Sequence, residues 1–275
     1  MSTPTAEIGP RAADPGSALG RAFPANWAVR IGGVAFLIYV VYAAQTLDMR
    51  WERFVQGLGN GAKFLGRMFP PNFAADKLLL LRDGMIESLQ IAVIATIIGI
   101  AIAMPVGLLG ARNLVPKPVA WVARGIIIMC RTYHPIIVAI LFVKAVGFGA
   151  LAGVLALIVA TMGFIGKLFA EAVEEISMKP IEALRAAGAS FLSIVFMGVL
   201  PQVMARFIGF AAYQLDSNLR NSTFVGIVGG GGIGATLFTA FQRFDYDFVL
   251  TIILAIIALV MIGEVFSGFM RRLYQ

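Results

Sequence analysis

This chain is poor in side chains that do covalent or acid–base chemistry. It has one histidine, His134, and one cysteine, Cys130, so a Cys- or His-based metal site and an internal disulfide framework both lack their parts. Cys130 lies in an apolar run and reads as a buried thiol. Glu171, Glu174 and Glu175 cluster, but they run into a polar connector, and Lys167 stands four residues before Glu171 on the same helical face as its natural partner. With no pair of carboxylates in a polar cleft, neither catalysis nor a metal or other cofactor is expected in this chain. What remains is binding chemistry. Arg131, Thr132, Tyr133, His134, Arg206, Asn218, Arg220, Ser222 and Thr223 are cationic or hydrogen-bonding groups set in apolar sequence, and together they could furnish a route suited to an anion. Singly, each arginine reads equally as a snorkelling span end or half of a structural pair. His134, with no second ligand nearby, reads as a satisfied core histidine.

The elements that must position these groups follow from composition. With 59% hydrophobic and 13% charged residues over 275 positions, the chain cannot cover a soluble globule with polar groups. It belongs in a membrane. The net charge of +7 comes from 22 basic residues scattered through turns and helix ends, which suits an anionic lipid surface better than nucleic acid. Residues 1–26, rich in Ala, Pro and Gly, read as a disordered tail; no basic start precedes an apolar core, so a signal peptide is not expected. Residues 27–47 form a first transmembrane helix. Residues 48–83 are expected as an external loop, with Gly57, Gly59, Gly61 and Pro70-Pro71 as breakers and an interfacial helix carrying Trp51, Phe54, Val55 and Leu58 at helical spacing.

The core domain, 84–275, holds five more spans, near 88–111, 119–146, 145–170, 191–215 and 248–270. The third is interrupted at Arg131-Thr-Tyr-His134-Pro135, where proline removes a backbone donor. Residues 217–246, with Gly229, Gly230, Gly231, Gly232 and Gly234, are too polar and too rich in glycine for a simple span and are expected to fold as a partly re-entrant segment. Gly229 to Gly234 satisfies G-x-G-x-x-G with Asp247 at a suitable distance, but membrane spans flank it, so close backbone packing is the better reading than a dinucleotide fingerprint.

Between the fourth and fifth spans lies a polar elbow around residues 179–190, Lys179-Pro-Ile-Glu182-Ala183-Leu-Arg185-Ala-Ala-Gly188, followed by Leu200-Pro201. Pro180 suits the first turn of a short helix and Glu182 the positive end of its dipole. From composition alone this is equally a plain loop. Its spacing resembles the Glu-Ala-Ala loop of binding-protein-dependent ABC importer permeases: Glu182, Ala183, Gly188, Leu200 and Pro201 match, while Leu184 replaces the third-position Ala and Gly198 stands where Ile is usual. Phe69-Pro-Pro-Asn-Phe73, Ser88-Leu-Gln-Ile-Ala92, Asn113-Leu-Val-Pro116, Gly166-Lys-Leu-Phe-Ala-Glu-Ala172, Leu200-Pro-Gln-Val203 and Asn218-Leu-Arg-Asn-Ser-Thr223 narrow the resemblance to the phosphonate-type ABC transporter permeases.

That resemblance implies an all-α polytopic membrane protein of about six transmembrane helices, with the type I ABC importer permease (MetI-like) fold and a cytoplasmic coupling helix, in the bacterial inner membrane. It implies a phosphorus oxyanion as cargo, with an amino-acid or methionine importer, or a non-transporting scaffold, as the other readings. The implied partners are a second copy, two ATPase subunits that bind ATP and Mg, and a periplasmic or lipid-anchored substrate-binding protein. Glu182, Ala183, Arg185, Gly188, Leu200 and Pro201 become the ATPase-coupling residues. Asn218, Arg220 and the glycine run map to the gate. The family's usual Glu after Arg131 is absent here, and His134 is added.

Overall fold

A computed structural model describes residues 27–47 and 49–274; the tail expected over 1–26 lies outside them. All regular structure among the described residues is helical, and the chain divides after Lys63 into two compact units. In the first, α1 (Trp27–Thr46) is apolar and exposed along its length, with the Arg30 guanidinium 5.8 Å from the Trp27 ring centre. It is followed by α2 (Trp51–Met68), which carries Glu52 in its first turn and Arg67 in its last, as the helix dipole favours. Gly57, Gly59 and Gly61 do not break α2, contrary to the sequence expectation. A helical glycine costs only about 1 kcal/mol, whereas Pro70-Pro71, just beyond the end, forbids continuation.

In the second unit the backbone of the bundle is α3 (Ala75–Gly110), which starts thirteen residues before the first uncharged position expected for this span. The early turns tolerate charge because they are clasped to α11 (Tyr246–Tyr274): the Asn72 side-chain amide donates to Asp247 at 2.7 Å, and Lys77 lies 3.1 Å from Asp245. Asn72 Oδ1 in turn accepts from Ala74 N–H, just before α3 opens.

Along α3 the buried face is built from small residues four apart, Gly84, Ser88, Ala92, Ala95, Gly99, Ala103 and Gly107, the only offset being the three-residue step to Ala95. Against it runs α6 (Ala150–Glu174) with its own small face. A methyl group on Gly99 would stand 2.6 Å from Thr161, and one on Gly107 would stand 2.8 Å from the Gly166 carbonyl oxygen. Small residues on both helices bring the backbones together, which is how spans associate where lipid supplies no hydrophobic drive.

Between them in sequence, α4 (Lys117–Thr132) and α5 (Pro135–Val146) meet at 90°. Pro135 opens α5, and His134 caps it, its Nδ1 accepting from Ile136 N–H at 3.4 Å. His134 is exposed, so it is a cap and not the core histidine the sequence suggested. Beyond the short α7 (Lys179–Ala186), a helical path comprises α8 (Phe191–Ile194), a π-helical turn (Val195–Val199) and α9 (Leu200–Val225), and runs into Gly226–Gly230, where it kinks at Gly229. It passes Leu215, where the fifth span was expected to stop, because Asp216 and Arg220 pair one helical turn apart at 3.0 Å. Then α10 (Gly232–Gln242) packs along the early turns of α3 and leads into α11. Among the described residues five helical stretches are long and apolar enough to cross a membrane, and α4 with α5 makes a sixth if the bent pair is one span.

Candidate functional site

The elbow helix α7 is anchored on one face and open on the other. Ile181 is fully buried, and Leu184 packs one turn on, within a cluster that includes Ala111, Phe169, Val173, Val199 and Val203. Glu182, Ala183, Arg185 and Gly188 are exposed. Gly188 has φ +74°, and the Gly188 and Ala189 N–H groups donate to the carbonyls of Arg185 and Leu184 at 3.0 Å each. This is the Schellman ending, in which a left-handed residue closes the helix. Nothing lies within 4 Å of a methyl group placed there, so only backbone conformation restricts the position. Gly188→Ala is therefore expected to cost about 1–2 kcal/mol of stability, and Gly188→Asn clearly less, as read by thermal melting of the purified protein. The reverse ranking would mean that a contact, not the dihedral, selects glycine.

Leu200 and Pro201 do not belong to the exposed face; they begin α9. Pro201 has no N–H and crowds the preceding turn, and the helix answers by widening, with Leu200 N–H donating five residues back to Val195. Gly198 sits in that widened turn, where a methyl would stand 3.1 Å from Leu184 and 3.4 Å from Ile181. The glycine standing where Ile is usual in the resemblance thus makes the seat for α7. Gln202 locks the approach: its Oε1 accepts from Ser177 N–H at 3.0 Å and its Nε2 donates to the Gly198 carbonyl at 2.7 Å. Arg206 pairs with Glu175 at this same end. Gln202 was invisible to sequence reasoning, because a single amide one residue past a proline carries no periodic signal.

At the other end of α9 the glycine run turns the chain. Gly229, Gly231 and Gly232 have φ of +101°, +78° and +72°, conformations closed to most L residues. The run is also crowded. A methyl on Gly234 would overlap the Thr223 carbonyl oxygen, and one on Gly230 would stand 3.1 Å from Gly153 Cα. Ser88 Oγ accepts from Ile233 N–H at 2.9 Å, and the Gly229 carbonyl accepts from Gly149 N–H at 2.9 Å. The glycines are a packing device, as expected for close backbone approach.

Just below, a buried polar knot ties three helices. The Asn218 amide donates to Thr96 Oγ1 of α3 at 2.9 Å and to Thr161 Oγ1 of α6 at 2.8 Å. Gln214 donates to Thr161 Oγ1 at 3.0 Å and to Asn218 Oδ1 at 2.9 Å. Ser222 and Thr223 are buried as well, the Ser222 hydroxyl donating to the Leu219 carbonyl. Of the polar residues the resemblance assigns to a gate in this region, Asn218, Arg220, Ser222 and Thr223, Arg220 is the exposed one. Arg131, Thr132, Tyr133 and His134 are exposed at the α4–α5 bend. Arg131 packs on Gly163 while Asn218 bonds to Thr161; two residues along a helix face about 200° apart, so α6 separates the two groups. Among the described residues no cluster of His, Cys, Asp and Glu could hold a metal.

The comparisons with known proteins agree with this architecture. The family model for the binding-protein-dependent transport system inner membrane component matches residues 95–275. The phosphite transport system permease protein PtxC of Stutzerimonas stutzeri is 36% identical over 260 residues, covering 93% of both chains. The phosphate-import permease protein PhnE of Mycolicibacterium smegmatis is 41% identical over 206 residues; the match covers 74% of this chain but only 38% of that longer protein. A chain of the MetNI methionine ABC transporter, solved in inward-facing conformations, superposes with a TM-score of 0.65 at 24% identity, covering 74% of this chain and all of that one. That likeness establishes the fold, the all-α type I importer permease (MetI-like) architecture. With most of the core matched by the family and a relative aligned nearly end to end, this chain belongs to the binding-protein-dependent transport system inner membrane components, multi-pass permease proteins of the bacterial inner membrane.

Proposed function

We propose that this chain is the transmembrane permease subunit of an ABC importer that moves phosphonate or a related phosphorus oxyanion. The observation that carries the reading is α7: a short helix held by Ile181 and Leu184 on the bundle, with Glu182, Ala183 and Arg185 facing out and a rigid connection into α9. A helix so mounted is a handle for another protein. Two ATPase subunits, binding ATP and Mg, would grip the handles of two copies of this chain, and a periplasmic or lipid-anchored binding protein would deliver cargo at the glycine end. The chain itself hydrolyses nothing and needs no cofactor. Arg220, exposed beside the gate, is the cation best placed to meet an anion; Asn218 and Thr223 support the gate from within. Arg131 to His134, on the far side of α6, are left out of the path. The interfacial helix assigned to α2 presents Trp51, Phe54, Val55 and Leu58 to lipid.

The cargo class rests on the relatives, named for phosphite and phosphate transport at 36–41% identity, against 25–28% for relatives named for D-methionine transport. Proteoliposomes containing this chain, its ATPase and its binding protein are expected to take up labelled phosphonate or phosphite only with ATP inside the compartment that holds the ATPase. Uptake of methionine instead would keep the machine and replace the cargo. No uptake by an intact assembly would point to a membrane scaffold.

A further inference from the structure

Between α4 and α6 lies a cleft of about 260 Å³ that the transport reading does not use. Arg124, Ile127, Ile128 and Arg131 line it from α4, and Lys167 and Glu171 from α6. The spacings are those of single helix faces, three or four residues apart on each side. Glycine makes the approach possible: a methyl on Gly163 would stand 2.8 Å from Arg131 Cγ, and one on Gly166 would stand 3.2 Å from Ile127. The Arg131 stem therefore lies directly across α6, on the face that continues to Lys167 one turn later.

The charges in the cleft do not cancel. Arg124 is engaged, 2.7 Å from Glu174 and donating to the Gly110 carbonyl at 2.8 Å. Lys167 leans on Glu171 at 3.4 Å, both about half exposed. Arg131 has no acidic partner among the described residues. Counting Arg124 with Glu174 and Lys167 with Glu171, one positive charge is left over, with Lys167 exposed enough to turn toward a better anion.

Depth and surroundings say what kind of anion. Arg131 is seven residues beyond Arg124, and Lys167 seven before Glu174, so both lie about 10 Å along their helices from the Arg124–Glu174 pair. Beside the cleft, α4 exposes Trp121, Val122, Ile128 and Met129, each at least 63% accessible. An occupant must bring an oxyanion and an apolar body together. We propose that the cleft holds the phosphate of an anionic phospholipid from the elbow-side leaflet, with Arg131 and Lys167 as donors and the exposed apolar face of α4 as the bed for its acyl chains. Basic pockets between spans take anionic head groups in this way. A free phosphorus oxyanion shares the head-group chemistry but has no use for the apolar flank. The assignment stands independently of the cargo.

The test is thermal melting and native mass spectrometry of the full chain in neutral detergent, titrated separately with phosphatidylglycerol, phosphatidylcholine and inorganic phosphate. Phosphatidylglycerol is expected to bind saturably and raise the melting temperature, with little effect from the other two. Arg131→Gln and Lys167→Gln should each weaken phosphatidylglycerol about fivefold, and Arg131→Lys should retain most of it. Lys167 is half exposed, so its variant reports on binding even if Arg131→Gln folds poorly. Equal binding of phosphatidylcholine, binding of inorganic phosphate as strong as that of the lipid, or unchanged phosphatidylglycerol binding in Lys167→Gln would each overturn the proposal.

Discussion

Gly234→Ala should leave almost no folded protein, although it adds a single methyl group. That methyl would overlap the Thr223 carbonyl oxygen and stand 2.9 Å from both Gly226 Cα and Ile227 N. All three neighbours are backbone, so no side chain can rotate away. Overpacking ordinarily costs about 1–3 kcal/mol; here the relief must come from parting α9 and α10, which also strains the Ser88 hydrogen bond to Ile233 N–H. The expected result is a loss of at least tenfold in monodisperse yield, which about 1.4 kcal/mol, well within that range, already produces. Gly125→Ala is the matched control: it lies in α4 with nothing within 4 Å, so the better helix former should be neutral or slightly stabilising. If the two variants extract and melt alike, the close approach at the glycine run is not what holds this end together.

Ile181→Asp is the second large effect, and it should be local. Ile181 is fully buried under α7, and an unpaired carboxylate there costs several kcal/mol, more than an eight-residue helix can hold against its cluster. Detachment of α7 should abolish ATP-dependent uptake while the spans, packed through α3 and α6, still extract as folded protein. Glu182→Ala, on the exposed face, should leave the melting temperature unchanged and act only on coupling. Uptake by Ile181→Asp within about twofold of wild type, a shift of under 0.5 kcal/mol, would remove α7 from the drive train. Normal behaviour of Glu182→Ala alone would move the contact elsewhere on the helix.

Much of this was legible in the chain. Apolar runs mark the spans, Pro180 marks the start of the elbow helix, and Pro135 marks the break that becomes a 90° bend. The limits of spans are less legible, because a charged residue in apolar sequence reads as a boundary. Asp216 with Arg220 and Lys77 with Asp245 neutralise one another in place, and a linear reading cannot know that a charge has a partner 168 positions away. The polar knot was half seen: Asn218 drew attention as a binding group, but Thr96 and Thr161 are solitary hydroxyls in their spans, and only the fold shows all three meeting. The small-residue face of α3, by contrast, was in plain view as a near-continuous four-residue repeat from Gly84 to Gly107. Hydropathy does not register it, because a scale that weights side-chain greasiness is blind to side-chain size.

The fastenings at the two ends of α9 differ in kind. At the elbow, Gln202 and the Glu175–Arg206 pair clamp the connector to the helix, and a π-helical turn seats α7 in the same body. From there α9 is a strut of 26 residues, about 39 Å long, pinned partway by the Asn218 knot. At its far end stand Gly229, Gly231 and Gly232 with positive φ, facing Gly147 and Gly149, which share that conformation. On the reading of α7 as a handle, a push there would travel along this strut and turn about the Asn218 knot, so the trade between force and stroke at the glycine end would be set by where along α9 that single asparagine lies.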